Sequence, residues 1–167
     1  DMGGDTFIVP LRSPSQSMRT FLNGIYGRNG LTMHDALTAM NLSKIDKNVR
    51  ETIGRTRAVQ LIRILNRHRK INLSALSSDP DYPHAHVFLR VPGVGYVVMA
   101  VVDDPKTGLK AWKFTAKTVE FIPALYKVYR DRPLAAGVTP VDRYLPFDIR
   151  VSDYIHRHHP ALDRMVN

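Results

Sequence analysis

The feature that most constrains this chain is a change of hydrophobic period part-way along it. Between Lys47 and Arg69 the apolar side chains Ala58, Leu61, Ile62 and Leu65 recur at i, i+3, i+4 and i+7, the spacing of a helix. From His86 the period shortens. His86 to Val91, Tyr96 to Val102 and Leu109 to Phe114 read as strands, separated by turn chemistry at Pro92-Gly93 and at Asp103 to Gly108. After Thr115 helical spacing returns through Val119, Phe121, Ile122, Leu125, Tyr126 and Tyr129. Three strands with short links imply an antiparallel meander, with the apolar run Tyr96–Val102 in its centre. Helices, then strands, then helices is a segregated order. It predicts an α+β fold, with helices packed on one face of a small three-stranded antiparallel β-meander.

Local punctuation sharpens these elements. Ser13-Pro14 places an N-cap and a proline at the first helical position, where the missing N–H costs nothing. Met18, Phe21, Leu22 and Ile25 continue that helix, and Gly27 and Gly30 end it. Thr32 caps a short helix through about Met40, with Ala36, Leu37 and Met40 facing inward. The helix from Lys47 to Arg69 carries Gly54 as a candidate interruption. Its apolar stripe lies opposite Arg57, Gln60, Arg63, Arg67 and Lys70, an amphipathic split with the basic residues toward solvent. Pro123 kinks the helix that Thr115 caps, or starts a new one. Thr6–Val9 reads as an edge strand and Ser152–Met165 as a last short helix. The 167 residues suit one domain that buries its own core. Residues 1–148 form it, and residues 149–167 read as a basic tail or short helix leading out.

The chemistry-bearing residues give little to a catalytic reading. The chain has no cysteine, so disulfides and thiolate chemistry are excluded. There is no Gly-x-Ser-x-Gly elbow and no Walker-type phosphate loop, and Gly93-Val94-Gly95 lies between two strands. Asp79 with Asp81, and Asp103 with Asp104, sit where aspartate serves turn geometry. His156, His158 and His159, near Asp153 and Asp163, and the pair His84 and His86 match no zinc spacing. Ser13, Ser43 and Ser74 read as caps. Asn41-Leu42-Ser43 and Asn72-Leu73-Ser74 have the form of glycosylation triplets, to which no function is attached. The expectation is a chain that is not an enzyme, with no catalytic, cofactor-binding or metal-ligating residues and no cofactor.

Charge says more about partners. A formal net charge of +9 and a pI near 10.0 favour anionic partners such as lipid head groups, acidic polymers or nucleic acid. Between Lys44 and Lys70 there are nine Lys or Arg against Asp46 and Glu51. Arg57, Arg63, Arg67 and Lys70 are therefore the candidate surface for an anionic lipid or polymer. The alternative is a nucleic-acid-binding module built on the 47–70 helix. The short helix, the long helix and the hairpin follow winged-helix order, although Asn41 to Asp46 is longer than the usual tight turn. Nucleic acid is the less favoured partner.

Three segments carry a family resemblance. The first is Ser13-Pro14 followed by Met18-Arg19-Thr20-Phe21-Leu22. The second is Ala39-Met40-Asn41-Leu42-Ser43. The third is Trp112-Lys113-Phe114-Thr115, then Thr118-Val119 and Ile122-Pro123-Ala124-Leu125-Tyr126. Their order, spanning residues 13–129, resembles an extramembrane domain that precedes the spanning helices in the larger members of the bacterial small-conductance mechanosensitive channel family. The resemblance implies a periplasmic domain tethered to the inner membrane in the full-length protein. Its partners would be the membrane part of its own parent chain and, as a homo-oligomer, copies of itself. It implies no pore, gate or ligand residue here. Asp1 ahead of Met2 suggests an excised or processed fragment, with Arg150–Asn167 leading toward a membrane helix. The longest apolar run, Tyr96–Val102, falls well short of the ~18 residues that a spanning helix needs.

Overall fold

A computed structural model describes residues 10–104 and 108–141. Helix α1 spans Pro14–Tyr26, α2 Met33–Thr38 and α3 Arg50–His68, followed by a single 3-10 turn at Leu73–Ala75. Strands β1 (His86–Val91), β2 (Gly95–Asp103) and β3 (Lys110–Phe114) come next, and α4 (Ala116–Tyr129) closes the set. The fold is α+β, as the change of period predicts. The sheet is antiparallel in the order β1-β2-β3, with β2 central.

Register explains which face is inside. Leu89 pairs with Val97 and Met99 pairs with Phe114, so these four side chains share one face, and all are buried. The neighbouring positions Arg90 and Lys113 on the other face are exposed and half-buried. The helices close the buried face with Met18, Phe21 and Ile25 from α1 and Ile122, Leu125 and Tyr129 from α4. Phe21 meets Phe114 edge-on at 5.2 Å, a geometry that suits the ring quadrupoles. Burying each such side chain stabilises the fold by about 1.5–3 kcal/mol.

The helix ends follow local chemistry. Ser13 accepts the Gln16 N–H at 3.2 Å, and Gly27 ends α1 in the left-handed conformation at φ 66°. At α2 it is Asp35 that reaches back, accepting from both the Thr32 N–H (2.8 Å) and its hydroxyl (3.2 Å). Gly24 lets α1 and α2 touch. A Cβ there would lie 2.6 Å from both Ala36 N and Thr32 O, closer than any side chain tolerates.

Several expectations need correction. The helix expected from Lys47 begins at Arg50 and runs through Gly54 without a break. Gly54 is a close-packing site instead: a Cβ there would sit 2.9 Å from Leu42 Cδ1. Pro123 lies inside one continuous helix, α4. Ser43 and Ser74 are not caps. In both Asn-Leu-Ser triplets the asparagine side chain accepts from the serine N–H (3.1 and 3.2 Å) and from its hydroxyl (2.6 Å in each), two copies of one turn. The expected elements at Thr6–Val9 and Ser152–Met165 lie outside the described residues.

The largest correction concerns α3. From Ala58 to Asn66 every residue except Gln60 is buried, so the helix is enclosed and not amphipathic along this stretch. Two things cover the side expected to face solvent. Helix α4 packs along it, and the segment after α4 folds back, so that the Ala135 N–H donates to the Asn66 carbonyl at 2.9 Å. Val59 and Ile64, which flank the apolar stripe in the sequence, predict more than one packing partner for α3, and both are buried, but the period does not say which segments cover the basic side.

Candidate functional site

Two places gather polar side chains from several elements: the outer edge of β3, and the end of the molecule where α1, α3 and α4 finish.

At β3, Trp112 and Phe114 expose their backbone groups on the side away from β2. An unpaired strand edge is a template for another chain. Here all four groups are taken. The Trp112 N–H donates to the Leu11 carbonyl (2.7 Å), and the Ser17 hydroxyl donates to the Trp112 carbonyl (2.7 Å). The Phe114 N–H donates to the Ala39 carbonyl, and the Asn41 N–H donates to the Phe114 carbonyl, both at 2.8 Å. The Trp112 indole N–H reaches the Pro80 carbonyl at 3.2 Å.

The join from β3 into α4 is equally occupied. Thr115 caps α4 by accepting the Thr118 N–H at 3.1 Å, while its own N–H donates to the Val98 carbonyl at 3.0 Å. The Thr118 hydroxyl accepts the Val98 N–H (2.9 Å) and donates to the Val98 carbonyl (3.1 Å). A threonine hydroxyl thus extends the β2–β3 ladder by one step and ties the start of α4 to the central strand. Ser17 of α1, Ala39 and Asn41 of the α2–α3 link, and Trp112 to Thr118 thus meet at this join.

At the helix ends, the last residues of α1, α3 and α4 are brought together by tyrosines. The Asn66 side-chain amide of α3 lies 3.5 Å from the Tyr26 hydroxyl at the end of α1. His68 Nδ1 lies 3.0 Å from the hydroxyl of Tyr129, the last residue of α4. Cations sit on both rings. The Arg28 guanidinium is 4.5 Å from the Tyr26 centroid and that of Arg132 is 4.4 Å from the Tyr129 centroid. Burial, then the nearby Arg69 and Arg132 charges, hold the His68 imidazole below its ordinary pKa.

The four expected surface cations fall into different settings. Arg63 is 4% exposed, and its guanidinium lies 3.4 Å from the Tyr126 hydroxyl, so it belongs to the α3–α4 interface and not to a surface. Arg57 is half-buried, and that desolvation lowers its pKa. Arg67 is half-buried and donates to the carbonyls of Arg132 and Arg63, both at 3.2 Å. Of the four, only Lys70 is exposed, with its side chain beside Gly137. Sequence periodicity missed Arg28, Arg69, Arg130 and Arg132. The available signal was a tyrosine as the last residue of two helices, each followed within three positions by arginine.

The remaining candidates are placed by packing. Asp79 accepts the Asp81 N–H at 2.9 Å in a turn, and the Asp104 carbonyl accepts the Gly108 N–H at 2.8 Å across the hairpin. His84 stands edge-on to Tyr82 at 6.0 Å. His86 lies against Phe88 with ring centroids 4.5 Å apart and planes tilted by 59°, and burial lowers its pKa. Among the described residues no group of three or more His, Cys, Asp or Glu is placed to hold a metal ion. His156, His158 and His159 lie outside them. No described helix is long and apolar enough to cross a membrane. Comparison with family models, curated proteins and solved structures gives no match.

Proposed function

We propose that this chain is a non-catalytic periplasmic accessory domain of a mechanosensitive-channel-like membrane protein, acting in assembly, partner contact or modulation of the channel. One observation carries the reading. Three sequence segments that resemble that family, well separated along the chain, converge on β3 and its join to α4. Their polar side chains serve as caps and as closures of the strand edge. Thr115 and Thr118 of the third segment are held by backbone partners at 2.9–3.1 Å, and Phe21 of the first meets Phe114 of the third edge-on at 5.2 Å. Residues used in this way build a rigid body for presenting surfaces. The alternative of a nucleic-acid module on the 47–70 helix is less favoured, because a reading helix needs a free face and α3 is enclosed from Ala58 to Asn66.

Residues 1–167 contain no cysteine, so a single one placed among them reports on this domain once any cysteine elsewhere in the parent protein is replaced by serine. The parent protein is produced in a bacterial host with the exposed Lys44 replaced, Lys44→Cys. A membrane-impermeant maleimide is expected to label it in intact spheroplasts. Deleting residues 13–129 is expected to shift the pressure at which patches open. Labelling only after permeabilisation, or a deletion with unchanged tension response and assembly, would sink the proposal.

A further inference from the structure

We infer that the end of the domain where α1, α3 and α4 finish is a docking surface for an anionic phospholipid bilayer. The inference rests on the membrane-tethered reading above and names the partner of one end of that module.

Charge balance comes first. Arg28, Arg67, Arg69, Lys70, Arg130 and Arg132 cluster at this end, and Asp131 is the carboxylate among them, 3.9 Å from Arg130. Cations beside helix C-termini have an ordinary job, since each helix end carries roughly half a negative charge. Three ends therefore call for about one and a half positive charges. Among the described residues, six cations less one carboxylate leave five, well beyond that need. Arg67 donates to two carbonyls, and Arg28, Arg69, Lys70, Arg130 and Arg132 are exposed.

Pre-organisation comes second. The Arg28 and Arg132 guanidinium groups sit over tyrosine rings that are themselves bonded to α3, so both are positioned without an anion present. Such an arginine loses less freedom when it meets a phosphate.

The same geometry favours lipid over nucleic acid. Single strands bind by stacking bases on open aromatic faces, and here Arg28 and Arg132 cover the two rings, with Tyr129 only 3% exposed. Duplex reading needs an element that enters a groove, whereas this surface is made of helix ends. Clustered cations without reading elements suit a plane of head-group phosphates, where each Lys or Arg near the surface adds to the attraction.

The 167-residue chain is tested by sedimentation with vesicles of phosphatidylcholine alone and of phosphatidylcholine with phosphatidylglycerol. Binding is expected only to the anionic vesicles, and to weaken as salt is raised. The triple variant Arg28→Gln, Arg69→Gln, Lys70→Gln is expected to lose roughly a hundred-fold in partitioning, about five-fold per charge. A control with three exposed cations removed elsewhere, Lys44→Gln, Lys47→Gln, Arg90→Gln, changes net charge equally and is expected to lose far less. Unchanged circular dichroism confirms that both variants fold. Equal losses in the two triples, binding to neutral vesicles, or duplex DNA displacing the vesicles at matched phosphate would overturn the inference. Vesicle binding that holds while Lys44→Cys labels only in permeabilised cells would remove the periplasmic reading and leave this surface standing.

Discussion

The two edges of the sheet are protected in opposite ways. β3 is covered by other parts of the chain: Leu11, Ser17, Ala39 and Asn41 each supply one hydrogen bond to its outer side. β1 receives no such cover among the described residues. It relies on a register shift between Val87 and Leu89, which breaks the regular ladder, and on an exposed charge at Arg90. Bulges and edge charges are standard means of discouraging strand addition. Val87, 49% exposed, is the apolar residue left on that side. The difference teaches where the stability of this domain is concentrated. β3 is the hub at which the N-terminal arm, α1 and the α2–α3 link meet, whereas β1 shares its ladder with β2 and adds core contacts through Leu89 and through Phe88, whose ring lies 5.7 Å from that of Phe114.

The hub should therefore break most severely. Trp112 is 2% exposed, packs against Tyr82 at 6.0 Å and donates its indole N–H to Pro80. Trp112→Ala leaves a large cavity and frees the loop around Pro80, and is expected to cost about 3–5 kcal/mol, measured by urea denaturation. Val87→Ala on the other edge removes little buried surface and should stay within about 0.5 kcal/mol. Similar costs at the two sites would show that the edges are equivalent.

A finer cut separates packing from hydrogen bonding at the hub. Ser17 is fully buried, and its hydroxyl donates to the Trp112 carbonyl. Ser17→Ala keeps the helix and leaves a buried carbonyl one donor short, which costs about 1–3 kcal/mol. Hydrogen exchange should rise first at the Trp112 and Phe114 amides, because the arm and the α2–α3 link are held there. A loss spread evenly over all three strands would contradict the hub.

Much of this frame was legible in the sequence, and the reasons are local. Strand β1 begins and ends where its alternation does, at His86 and Val91, and α4 begins one residue after its threonine cap. Ser13-Pro14 marked α1 because cap and proline act on adjacent backbone groups. What stayed hidden depends on partners distant in sequence. Arg63 looks like a solvent residue until α4 packs against it, with the Tyr126 hydroxyl 3.4 Å from its guanidinium. Asn41 resembles a helix terminator, yet its N–H completes the edge of β3. The cluster of cations at the helix ends was invisible because no period links Arg28, Lys70 and Arg132. Only the convergence of three helices does.

The smallest expected effect lies on β1 and depends on pH. Burial, with the ring lying against Phe88, pulls the His86 imidazole below its ordinary value of 6.5. The folded chain therefore binds fewer protons than the unfolded chain as pH falls below that value, and stability rises with pH across this window. The contribution is fully present above the unfolded pKa and is lost as pH drops toward the folded one. His68 shifts in the same direction, through burial and then Arg69 and Arg132, so a global melting curve reports both. Local exchange separates them. On lowering the pH, after correction for intrinsic rates, amides of β1 should lose protection while those of Trp112 and Phe114 keep theirs, and His86→Gln should abolish the β1 change without altering the part due to His68. If β3 amides lose protection in step with β1, the sheet opens as one unit and the contrast between its two edges is static only.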